Sequence, residues 1–164
     1  MVILKIISNE KGWITAYFSV LLPIFLLFSA LSMDYGRAFV LKHQLQSACD
    51  AASLAGVSAA EAKILTDGMG NPTGERLILD PIIAEARATD IWNQNVLSLK
   101  FAEKGVTVTD TSNHMPLDSD SDGYLDSYCW GVTAKIQSFI AGPITGIGND
   151  ITVTRVAVSK VREP

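Results

Sequence analysis

The stretch that decides the fold is Trp13–Met33, WITAYFSVLLPIFLLFSALSM, which contains no Asp, Glu, Lys, Arg or His. At a rise of about 1.5 Å per residue, a helix of this length spans the ~30 Å hydrocarbon core of a bilayer. Aromatic rings favour the membrane interface, and Trp13, Tyr17 and Tyr35 stand near the two ends. Pro23 removes one backbone donor, a loss that membrane helices tolerate. We therefore predict a transmembrane helix over residues 13–33.

Two other interpretations of this stretch stay open. The first is a secretory signal peptide cut after Ser32, because Ala30-Leu31-Ser32 fits the small-residue pattern of a cleavage site. The second is a buried core helix. The apolar run is longer than the ~7–15 residues usual in a signal peptide, which favours a membrane anchor.

The flanking charges predict the orientation of this helix. Lys5, Lys11 and the amino group outweigh Glu10 on the N-terminal side, and positive segments stay in the cytoplasm. We expect a cytoplasmic leader over residues 1–12 and an extracytoplasmic domain over residues 34–164, crossing the membrane once. The chain has 13 basic and 17 acidic residues, which argues against a nucleic-acid-binding surface.

A helical pattern continues beyond the membrane segment, from Asp34 to about Lys63. Apolar or small residues recur there at spacings of three and four, which marks one helix face. An Ala-rich face allows close approach by either the chain's own sheet or another subunit, and the two are compatible. The candidates for subunit packing are Leu45, Ala48, Ala52 and Ala55.

The remaining sequence predicts a second helix and a small sheet. Asp80-Pro81 is a helix start that a turn-rich connector over residues 66–74 precedes. Alternating apolar residues predict strands near 106–109, 128–136 and 151–158, with a bulge near Thr154–Arg155 where the apolar phase shifts. The fold class is α+β, with the long helix on a small antiparallel sheet and a second helix beside it.

Together these segments resemble a known family. Pro23 within an apolar segment, then Asp34-Tyr-Gly-Arg37, then LQSACDAASLAG at Leu45–Gly56 is similar to the N-terminal signature of TadG-like (TadE/TadG) Tad or Flp pilus-assembly proteins, over about Gly12–Ala60. The resemblance implies a pilin-like architecture and a structural or assembly component of a Tad pilus or related secretion apparatus. It implies location in the bacterial inner membrane, incorporation into a surface filament as one option, and other pilus-assembly or pilin subunits as partners.

The chain departs from the processed members of this system at one position. Prepilin peptidase cuts those members after a Gly whose fifth following residue is Glu, and Tyr17 stands there when Gly12–Trp13 is taken as the cleavage point. An uncleaved anchor therefore fits better than a major pilin. The large von Willebrand-type domain of longer TadG relatives has no room in this chain.

The motif Asp118-Ser-Asp120-Ser-Asp122-Gly-Tyr124-Leu-Asp126 predicts a calcium loop. Calcium prefers six to eight oxygen ligands, and such loops supply them from alternating positions, here including the Tyr124 carbonyl. Position twelve is Cys129 rather than the Glu of an EF-hand, so the motif resembles the loops of extracellular modules. The alternative is a solvated acidic loop tip.

Cys49 and Cys129 are the two cysteines, and an oxidising compartment would permit a disulfide between them. Strict strand alternation places Cys129 opposite Tyr128 and Trp130, away from the core, so two separate thiols remain the alternative.

Catalytic motifs are weak, and we expect no enzyme and no small-molecule substrate. His43 and His114 stand in no nucleophile context and are predicted to be solvated. The other function that fits the sequence is a membrane-tethered, calcium-stabilised extracytoplasmic binding module unrelated to pili.

Overall fold

The structure, a computed structural model, describes residues 10–139 and 150–162, with side chains described from Gly12 onward. Helix α1 is Glu10–Val57, and it continues without a break through Pro23. Within the described residues it is the helix long and apolar enough to cross a membrane, and nearly all side chains of its apolar part are exposed. The α1 helix therefore fits a single-pass membrane anchor.

Beyond α1, the described chain forms a second helix, a short 3-10 turn and six strands. Helix α2 is Pro81–Leu99 and the turn is Ala102–Lys104. The strands are β1 Ala60–Thr66, β2 Pro72–Leu79, β3 Val106–Asp110, β4 His114–Leu117, β5 Ser127–Gln137 and β6 Asp150–Lys160.

The six strands form two antiparallel sheets. Strands β1 and β2 pair only with each other, as a hairpin. In the second sheet β5 is central: β6 pairs along its whole length on one side, while β3 and β4 pair with its two halves on the other. Two helices with small antiparallel sheets confirm the α+β class.

The chain divides into two compact units. Of the described residues, 10–37 and 138–139 belong to one unit, and 38–137 and 150–162 belong to the other. The second unit contains the hydrophobic core, in which one face of β5 packs with both helices. Trp130 of β5 lies 5.7 Å from Trp92 of α2 between ring centroids. The buried members of this core from α1 include Leu41, Leu45, Ala48, Cys49 and Ala52.

Three local predictions are wrong. Helix α1 ends at Val57, and Ala60–Thr66 forms a strand although its sequence AEAKILT favours a helix by propensity. Strand β4, His114–Leu117, is an additional strand beyond the three that the sequence predicts. The register of β5 with β6 is unbroken, so there is no bulge at Thr154–Arg155. Val156 and Val158 are simply exposed on the outer face of the sheet, which explains the phase shift.

Candidate functional site

The acidic loop, residues 118–126, is organised by the carboxylate of Asp118. It accepts hydrogen bonds from the backbone N–H groups of Ser121 at 2.7 Å, Asp122 at 3.3 Å and Gly123 at 2.7 Å. The bond from Gly123 is the largest cause that lowers the pKa of Asp118. Gly123 has φ +90°, a left-handed conformation that suits glycine and closes the tight turn.

The loop brings three of the predicted metal ligands together. Carboxylate oxygens of Asp118, Asp120 and Asp122 all lie within 4.8 Å of one another. Burial, followed by the negative charge of Asp122, raises the pKa of Asp120. The three carboxylates thus form a crowded anionic cluster of the donor type that calcium prefers.

Two basic side chains from distant strands face this cluster. Arg76 of β2 contacts both Asp120, at 3.3 Å, and Asp122, and its guanidinium lies 5.3 Å from the centroid of the Tyr124 ring. Lys160 of β6 lies 3.8 Å from Asp120. Neither Arg76 nor Lys160 can be identified from the local sequence, because only the strand topology brings them to the loop. Their positive charges relieve part of the repulsion among the three carboxylates.

Asp126 is not one of the three carboxylates within 4.8 Å of one another, and it is 7% exposed. Lys160 lies near both Asp126 and Asp120. The Asp126 oxygens accept hydrogen bonds from the N–H and hydroxyl of Ser119 and from the hydroxyl of Ser127, and the Lys160 ammonium lies 2.8 Å away. Burial acts to raise the pKa of Asp126, but Lys160 and these hydrogen bonds outweigh it and hold that pKa well below its usual range. The role of Asp126 as a ninth-position calcium ligand stays a prediction.

The two cysteines are free thiols and both are buried. Cys49 belongs to the core, where its thiol donates to the Arg155 carbonyl at 3.9 Å. Cys129 lies outside that core, between Met115 and Val158 in the sheet register. The two cysteines thus lie in different packing environments, and the disulfide between them stays a prediction. Burial, followed by the charge of Asp50, raises the pKa of Cys49 to about 12, and burial also raises the pKa of Cys129. Both shifts favour the protonated thiol over the thiolate.

The candidate subunit-packing residues lie mainly inside the chain's own domain. Leu45, Ala48 and Ala52 are buried in the core, whereas Ala55 is partly exposed. A bulky substitution at the three buried positions would therefore disturb the fold before it disturbed any contact with another subunit. Of the four, Ala55 is the residue that is accessible to a partner.

The remaining candidate residues, at the start of α1 and at the two histidines, differ in exposure. Gly12 is partly exposed and Trp13 is 53% exposed at the start of α1. His43 is exposed, as expected, but His114 is half-buried: its ring stacks on Trp130 at 4.9 Å and lies 3.4 Å from a Glu85 oxygen. The prediction of a solvated His114 is wrong because β4, which the sequence did not reveal, carries it next to the core.

Comparison with known families bears on the first part of the chain. Residues 12–60 match the Tad family, described as Putative Flp pilus-assembly TadE/G-like. The match covers less than a third of the chain and confirms the resemblance over the segment where the sequence showed it. No curated protein and no solved structure matches the chain significantly.

Proposed function

We propose that this protein is a membrane-anchored structural component of a Tad pilus or a related secretion apparatus, and that it acts in assembly rather than catalysis. The observation that carries the proposal is the TadE/G-like domain at residues 12–60, which coincides with the apolar helix and its continuation. In this proposal residues 13–33 cross the bacterial inner membrane, residues 1–12 stay in the cytoplasm, and residues 34–164 meet other pilus subunits outside.

Two features of the structure support this assignment. The side chains of the apolar half of α1 are almost all exposed, as a lipid-facing helix requires. The part of α1 beyond Arg37 packs into a domain core with Tyr128 and Trp130, so the same helix that enters the membrane also belongs to a folded domain. A lipid-facing helix that continues into a folded domain fits a membrane-tethered assembly subunit.

Deletion of the gene, followed by electron microscopy and recovery of sheared surface filaments, tests the pilus role. We expect loss or strong reduction of filaments, and restoration by the wild-type chain. A complementing variant in which residues 13–33 are removed is the matched control and should fail to restore them. Unchanged filaments in the deletion strain would contradict the proposal.

N-terminal sequencing separates a filament subunit from a resident membrane component. We expect the leader to be intact in protein from the membrane fraction, because Tyr17 replaces the Glu of processed subunits. A first residue of Trp13 in protein from sheared filaments would instead show a processed, pilin-like subunit.

We also propose that the acidic loop takes calcium as a structural ion, since three carboxylates lie within 4.8 Å of one another. Asp118, Asp120 and Asp122 would hold the ion, and Arg76 must then give up its contacts with Asp120 and Asp122. That competition, together with the extracellular class of loop, predicts a modest affinity of about 10⁻⁴–10⁻³ M.

Thermal melts of the full chain in detergent, with calcium and with chelator, test this second proposal. Calcium should raise the melting temperature, and Asp118→Asn should abolish the difference. Arg76→Met should enlarge it, because the competing guanidinium is gone. Identical melts of the wild type in both conditions would reject the site. A calcium response in a protein without any effect on pili would favour the tethered binding module instead.

A further inference from the structure

The first ionisable residue after the apolar segment, Asp34, is buried and holds a distant part of the chain. It is 4% exposed. One of its oxygens accepts a hydrogen bond from the Ser138 hydroxyl at 2.7 Å, and the other accepts one from the Phe139 N–H at 3.1 Å. The carboxylate therefore fixes the backbone at Ser138–Phe139 directly beside the end of the membrane-spanning segment.

The side chain that this arrangement presents is a large apolar ring. Phe139 is 68% exposed although its backbone is tied down by a buried carboxylate. Burying a phenylalanine side chain is worth about 1.5–3 kcal/mol, so leaving a fixed ring in water forgoes that gain. The Arg37 guanidinium lies 4.1 Å from the ring centroid and 3.9 Å from Asp34, and the neighbouring Tyr35 is 74% exposed.

We propose that Phe139 is a second membrane contact of this protein, whose ring enters the boundary between lipid headgroups and acyl chains. Asp34 is the positioning residue, and Arg37 lies at the level of the lipid phosphates. The proposal rests on the membrane anchorage within the proposed function. Aromatic and cationic side chains together at the end of a membrane span are typical of this interface.

The occupant is phospholipid because the surface is continuous with the lipid-facing part of α1. Asp34 directly follows the apolar segment. Its two hydrogen bonds therefore hold Phe139 next to the point where α1 leaves the membrane in the proposed topology.

Fluorescence of the full chain in phosphatidylcholine vesicles tests the contact. In Phe139→Trp, the added tryptophan should emit at shorter wavelength and lose most of its emission when the lipid carries bromine in its upper acyl chains. The matched control is Met69→Trp, since Met69 is 90% exposed in the polar turn between β1 and β2. There the added emission should be unaffected by bromine and should be quenched by aqueous iodide.

The native tryptophans separate failure of this inference from failure of the anchor. Trp13 lies in the apolar helix, whereas Trp92 and Trp130 are buried in the domain core. Partial quenching of the wild type by brominated lipid reports anchorage through Trp13. If brominated lipid quenches the wild type but not the added tryptophan at position 139, the membrane contact of Phe139 is overturned and the anchor is kept. If brominated lipid quenches neither, the membrane anchor is overturned as well.

Asp34→Ala in the Phe139→Trp background tests the positioning role. We expect it to reduce quenching at position 139 while quenching of Trp13 is kept. Undiminished quenching at position 139 would show that Asp34 does not position the ring.

Discussion

At the scale of single residues, Gly56 of α1 packs closely against Tyr128 of β5. A Cβ added at Gly56 would lie 2.6 Å from both Cγ and Cδ1 of the Tyr128 ring, which is fully buried. The absence of a side chain at Gly56 is what lets the helix approach the sheet this closely. The LAG tripeptide at the end of the family-like segment is thus a packing feature of the folded domain.

Gly56→Ala should therefore lower the free energy of unfolding. Overpacking a core costs about 1–3 kcal/mol, and the better helix propensity of alanine returns up to about 1 kcal/mol, so we expect a net loss of about 1–2 kcal/mol. Gly36→Ala is the control, since Gly36 lies in the same helix with nothing within 4 Å of an added Cβ. Denaturant unfolding in detergent measures both. Equal stabilisation by the two substitutions would refute the close approach.

The buried Asp126 makes the stability of the domain depend on acid pH. Its pKa is lowered in the folded state by Lys160 and the hydrogen bonds from Ser119 and Ser127, against the effect of burial. A lowered pKa means that the unfolded chain binds the proton first, so this contribution is complete above the ordinary pKa of about 4 and is lost as pH falls below it.

The free energy of unfolding of the wild type should fall as the pH is lowered from neutral to acid, and Asp126→Asn should reduce that fall. Other carboxylates with lowered pKa values, such as those of Asp118 and Asp67, keep the remaining slope. The measurement is denaturant unfolding as a function of pH. Asp90→Asn, on the exposed surface of α2, is the matched control and should leave the slope unchanged. A wild-type slope in Asp126→Asn would contradict the ion-pair assignment.

At the scale of elements, the start of α2 is the best-defined local signal. The Asp80 carboxylate accepts hydrogen bonds from the N–H groups of Ile82 at 2.9 Å and Ile83 at 3.1 Å, and Pro81 occupies the first helical position. The predicted helix start is confirmed. The cap satisfies two of the backbone donors that a helix end leaves without an intrahelical acceptor.

Asp80→Ala should destabilise the domain by about 1 kcal/mol, the usual cost of losing such a cap. Asp80→Ser keeps an oxygen acceptor at the same position and should retain most of the stability. Thermal unfolding compares the two variants. Equal melting temperatures for Asp80→Ala and the wild type would show that the cap contributes nothing.

Elements whose signal is local were predictable, and those that depend on distant partners were not. Helix α2 carries its own cap and apolar stripe, and β5 shows plain alternation. The hairpin was missed because Ala60–Thr66 has helix-forming residues, and only pairing with Pro72–Leu79 across the Asp67 turn makes it a strand. Likewise, spacing predicted that Asp118, Asp120 and Asp122 converge, but the counter-charges of Arg76 and Lys160 arrive through the sheet topology.

At the scale of the whole molecule, helix α1 contributes residues to both compact units. Helix α1 contributes its apolar part to the first unit and its amphipathic part, with Leu41 and Leu45, to the core of the second. Its sequence changes from apolar on every side to apolar on one face, as expected of a helix that meets lipid in one part and a domain core in the other. In the proposed topology, the charge bias around the apolar part predicts the side of the membrane on which the domain lies.

The expected orientation, with the domain outside the cytoplasm, can be measured with alkaline phosphatase, which is active only after export. A fusion after Pro164 should be active, because Lys5 and Lys11 hold the leader inside. Removal of residues 13–33 from the same fusion is the control and should abolish activity, since the domain is then not exported. Replacing Lys5 and Lys11 by Glu should weaken the wild-type signal, because the positive charge that retains the leader is lost. An inactive fusion of the full chain would place the domain in the cytoplasm, where it could not meet filament subunits outside the cell.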